Sequence, residues 1–138
     1  MLVFSGVNPL AVLVGAVIFM VLGALWYSPM LFANRWMAAL GRDPAEMMAQ
    51  GGMVQAYGLT FVGALISVLA LAQVVMWSGA SSITDGVVMG LVVAIGFVAT
   101  ASLGGVIFER RPKDVYLINL GYNLVAMMIV GALLAVWR

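Results

Sequence analysis

The chain reads as an all-α polytopic membrane protein. Four transmembrane helices and a short interfacial helix after the first make one domain over residues 1–138. Three observations carry this. Apolar residues make up 65% of the chain and charged ones 8%, where a soluble domain carries about a quarter. No Lys, Arg, Asp or Glu occurs in residues 1–34, 51–84, 86–108 or 115–137, because hydrocarbon solvates charge poorly. Helix start and stop signals punctuate each of these runs.

The first span begins at Asn8-Pro9, a good N-cap followed by a good first helical residue. It is expected to run over about 9–28, since Pro29 disfavours helical geometry at Ser28. In Met30–Leu40, Phe32, Trp36 and Leu40 recur every fourth residue with Asn34 and Arg35 between them, which predicts an interfacial helix over about 30–40. Gly41–Gly52, with Arg42, Asp43, Pro44 and Glu46, reads as a polar loop.

The second span covers about 53–77 and ends at Trp77, an aromatic suited to the interface. Ser82 followed by Asp85 resembles a capping box and opens a third span over about 83–108. Glu109-Arg110-Arg111-Pro112-Lys113-Asp114 is a charged hinge, with Pro112 placed as the first helical residue. The fourth span, about 113–137, ends on Trp137-Arg138.

Composition excludes several kinds of chemistry. Net charge is +1, and there is no Cys and no His, so nucleic-acid binding, disulfides, thiol chemistry and His/Cys metal sites have no support. The eleven Met are scattered, as packing residues are and copper ligands are not. No cofactor or metal is expected. Met1–Gly6 lacks the basic start of a signal peptide, so the first apolar run is expected to be retained as a helix.

Orientation follows from the Lys and Arg residues. Arg35, Arg42, Arg110, Arg111 and Lys113 fall in the loops after spans one and three, and only Arg138 falls on the other side. Loops one and three are therefore expected in the cytoplasm and both termini outside.

This topology brings Trp26, Tyr27, Ser28, Arg35, Glu109, Arg110, Arg111, Tyr116 and Asn119 to similar depth. Asn119 lies roughly 10 Å into span four and Asn123 one turn deeper. Tyr116, Asn119 and Asn123 share one helix face. The two Asn either hydrogen-bond to a neighbouring helix and fix its register or line a polar cavity. Glu109 falls at a helix C-terminus, where the dipole disfavours negative charge. It calls for Arg110, Arg111 or Arg35 as an ion-pair partner, or else serves as a coupling carboxylate. Trp26 and Tyr27 are a ligand platform or part of an aromatic belt.

Small residues form two rows on span three: Gly86, Gly90 and Ala94, and Gly96, Thr100 and Gly104. Both permit close helix approach, which suits a helix at the bundle centre. One of them is alternatively a face for a second copy or a partner protein.

Several blocks together resemble one family. They are Asn8, Gly23-Ala24-Leu25-Trp26-Tyr27-Ser28-Pro29, Trp36-Met37, Phe108-Glu109-Arg110-Arg111-Pro112, Ile118-Asn119-Leu120-Gly121-Tyr122-Asn123 and Gly131-Ala132. This is similar to the bacterial four-helix membrane family called domain of unknown function 1761, over nearly the whole chain. The resemblance implies four spans and groups Tyr122 with the other motif residues, and it brings no activity. It implies His at the position of Asn123, where this chain's amide cannot transfer a proton.

The expected function is binding or assembly: an accessory component of a membrane complex, or a homo-oligomer. The partners expected are the lipid bilayer and either another protein or a second copy. The alternative is a small transporter or channel built from several copies. An enzyme is not expected, because no nucleophile or acid–base pair lies at depth.

Overall fold

In a computed structural model of the chain, residues 4–41 and 53–137 are described. The expected polar loop at 42–52, with Arg42, lies outside them, as does Arg138. Among the described residues all regular structure is helical. Helix α1 is Pro9–Trp26, α2 is Ala33–Leu40 and α3 is Met53–Ser78. Helix α4 is Ile83–Ile107 and α5 is Lys113–Val136. Four of these, α1, α3, α4 and α5, are long and apolar enough to cross a membrane.

The caps explain the starts. Asn8 Oδ1 accepts from the amides of Leu10 and Ala11, and Ser82 Oγ accepts from the Asp85 amide at 3.1 Å. Pro112 stands one place outside α5, with ψ at 137°. Helix α1 stops at Trp26, two residues before the expected end. Pro29 has no N–H for the Leu25 carbonyl, so the Ser28 amide and hydroxyl take that carbonyl instead, at 3.2 and 2.6 Å. The chain then turns, and the Phe32 amide donates to Trp26 O at 3.1 Å. That bond delays α2 to Ala33. At the other end of the bundle, the Phe4 amide donates to the buried Gln73 of α3, which ties the segment before α1 into the fold.

The central helix is α5, which touches all four others. Its Ala126, Met127, Val130 and Leu134 pack with Ala11, Ala16 and Phe19 of α1 and Val68, Leu71 and Val75 of α3. Helix α4 lies at the edge, mainly against α5. Gly86 and Gly90 make that contact backbone to backbone. A Cβ on Gly86 would lie 2.3 Å from Gly131 O, and one on Gly90 would lie 2.0 Å from Met127 O.

The second small row does not pack as expected. Gly96 has nothing within 4 Å of a built Cβ, and Gly104 meets only Phe108 of its own turn at 4.0 Å. The reason is a π turn over Ala94–Ala99 in the middle of α4. On a regular α-helix, Gly104 would return to the Gly86 side after about five turns. The π turn winds more slowly and carries the row away from α5. Two side-chain hydroxyls serve carbonyls of this turn: Thr100 Oγ1 donates to Gly96 O at 2.6 Å, and the Tyr116 hydroxyl donates to Ala99 O at 2.8 Å.

Candidate functional site: a polar cleft and an aromatic clasp around helix α5

Two polar assemblies flank the first half of α5. The first joins it to the end of α1. Gly121 has no side chain, and the Trp26 indole occupies the space, with Cζ2 2.9 Å from where a Cβ would stand. From there Trp26 Nε1 donates to Ile118 O at 3.0 Å. The Tyr27 hydroxyl donates to Asn119 Oδ1 at 2.5 Å. The Tyr122 hydroxyl runs the other way, donating to Phe19 O of α1 at 2.6 Å, beside Gly23. Tyr27 lies just past the last residue of α1. Burial, reinforced by the neighbouring Tyr122 phenol, raises its pKa above the ordinary value, so it stays a donor.

Helix α2 completes this clasp. Trp36 packs on Tyr27 with ring centroids 5.1 Å apart, and Phe32 packs on Trp26 at 4.9 Å. The buried Trp36 Nε1 has no hydrogen-bond partner among the described residues. Arg35 of α2 pairs with Asp114 of α5 at 3.4 Å, both well exposed.

The second assembly is a cleft of about 100 Å³ between α4 and α5. Val98, Ala99, Ser102 and Val106 line it from α4, and Tyr116, Asn119 and Asn123 line it from α5. Arg111 lines it from the linker. The cleft begins at the π turn, where α4 no longer follows α5 closely. Asn119 belongs to both assemblies: it accepts from Tyr27 and also lines the cleft. Asn123 Nδ2 donates to Asn119 O, within α5, at 2.9 Å.

The family model described as protein of unknown function (DUF1761) matches residues 10–135. The chain belongs to the DUF1761 family. No curated protein and no solved structure matches it. In this DUF1761 chain the two longest blocks of the family resemblance face each other. Gly23-Ala24-Leu25-Trp26-Tyr27 meets Ile118-Asn119-Leu120-Gly121-Tyr122 through the Gly23–Tyr122, Trp26–Gly121 and Tyr27–Asn119 contacts.

Glu109 takes one of the three cations expected for it. Glu109 pairs with Arg111 at 2.8 Å, and both are exposed. Arg111 also lines the cleft with Asn119, and Arg35 is engaged by Asp114. Arg110 is exposed at the turn, with a left-handed φ of 54°. Room for the Glu109–Arg111 pair comes from Gly105, where a Cβ would lie 3.4 Å from Arg111 Cδ. Ser102 and the π turn are the parts of the cleft that residue spacing did not reveal. Ser102 is one hydroxyl in an apolar run, and π winding has no sequence period of its own. Gln73 was missed likewise, because its partner is a backbone amide 69 residues away.

Proposed function

We propose that this DUF1761 protein is a multi-pass protein of the bacterial cytoplasmic membrane that acts by binding a small polar ligand in the cleft between α4 and α5. One observation carries the reading. In two largely apolar spans, Ser102, Tyr116, Asn119 and Asn123 converge on one space beside a π turn. Polar groups at such depth are costly without partners, and π turns recur at functional sites. The positive-inside imbalance puts the cleft end of the bundle in the cytoplasm and both termini outside.

A second reading is self-assembly, favoured by the outward row Gly96, Thr100 and Gly104 on the edge helix α4. A small-residue row on an uncovered face suits a second copy in the bilayer. A multi-copy transporter is the special case in which such an assembly also moves the ligand.

Native mass spectrometry from mild detergent tests both readings. The binding reading expects a small adduct on the wild type that is lost in Asn123→Leu, with the particle mass unchanged. No adduct, or one retained in the variant, defeats it. Assembly expects a multiple of the chain mass that Gly104→Leu returns to one copy.

A further inference from the structure

We propose that the cleft takes a small monovalent anion with the charge and size of a simple carboxylate, an inference that rests on reading the cleft as a ligand site. Arg111 is the charged side chain among its lining residues. Its Nε is held by Glu109, which leaves Nη1 and Nη2, the paired donors that carboxylates accept. Asn119 Oδ1 already holds the Tyr27 proton, so Asn119 offers the cleft its amide Nδ2. Ser102 adds a hydroxyl. Against these donors stand two side-chain acceptors, Asn123 Oδ1, whose Nδ2 is engaged by Asn119 O, and the Tyr116 oxygen, whose proton goes to Ala99 O.

Of the two nearby carboxylates, Asp114 is held by Arg35 of α2, while Glu109 pairs with Arg111 itself and so competes with the anion for it. Helix α5 starts beside the cleft, and Val115 of its first turn lines it. Pro112 supplies no side-chain cap to that turn, so its amides leave a partly positive end. The size is restrictive as well. A dry cavity of about 150 Å³ holds benzene, so about 100 Å³ suits an ion of a few heavy atoms.

The test uses the full chain in mild detergent, with gluconate, a bulkier carboxylate, as the constant background anion. Sodium acetate is titrated against acetamide, its neutral counterpart, and the shift in melting temperature gives the apparent affinity. The expected result is a saturable upward shift with acetate and none with acetamide. Arg111→Gln should weaken acetate binding about tenfold, and Arg111→Lys should restore part of it. Glu109→Gln, which frees the guanidinium, should strengthen it. The melting temperature of each variant without acetate reports whether it folds. Equal shifts from acetamide and acetate overturn the anion while leaving the cleft a ligand site. Acetate shifts that are unchanged in Arg111→Gln place the ion elsewhere and overturn the proposal. No shift from either solute, together with no adduct on the native particle, overturns both it and the reading beneath it.

Discussion

Gly86 of α4 and Gly131 of α5 approach so closely that a Cβ on either would lie 2.3 Å from the other's carbonyl oxygen. Backbone cannot give way as a flexible side chain can. Gly86→Ala and Gly90→Ala are therefore expected to lower stability by about 1–3 kcal/mol or more, read as a drop in melting temperature in detergent. Gly104→Ala meets open space and should be neutral or raise stability by up to about 1 kcal/mol through helix propensity. Equal losses at all three positions would refute the edge placement of α4.

Tyr27 and Asn119 form the side-chain hydrogen bond between α1 and α5. In a double-mutant cycle with Tyr27→Phe and Asn119→Leu, a coupling of about 0.5–1.5 kcal/mol is expected. Additive losses would mean that the two side chains do not act together.

Trp26 and Trp36 carry the same indole group in opposite circumstances. Trp26 Nε1 has a carbonyl acceptor and Trp36 Nε1 has none among the described residues. Trp26→Phe should therefore cost about 1 kcal/mol more than Trp36→Phe. Chemical denaturation of the two variants, compared at the same detergent concentration, decides it.

Arg110 adopts the left-handed conformation that a Cβ disfavours. Arg110→Gly removes that strain, about 1–2 kcal/mol, at some cost from a more flexible unfolded chain. A net gain of about 0.5–1 kcal/mol is expected. A melting temperature that falls would show that the Arg110 side chain holds a contact worth more than the strain.

Much of the fold was legible because it rests on local rules. Charge exclusion marked the four long helices, and Asn8, Ser82 and Pro29 marked where helices start and stop. Of the site, the approach of Tyr27 to Asn119 followed from topology alone, since both stand at the same end of neighbouring spans. The partner of Glu109 did not, because Arg110, Arg111 and Arg35 were equally available by charge; the Gly105 gap makes room for Arg111, and Asp114 engages Arg35. Gly96 and Gly104 were expected on a second face, suited to a helix at the bundle centre or to a second copy; α4 stands at the edge, and the π winding through Ala94–Ala99 carries Gly104 off α5.

That winding has one more consequence. At 3.6 residues per turn, Ser102 would stand about 160° round the helix from Gly86, with its back to α5. The π turn is a phase shift that brings it to the cleft. The polar character of the α4 wall is therefore encoded in the pitch of six residues upstream, and not in Ser102 alone. Removing one residue from that stretch would restore the α pitch and leave the serine fifteen steps from Gly86, about 60° round the helix and still toward the cleft, whereas forcing α pitch on all six residues would turn it away.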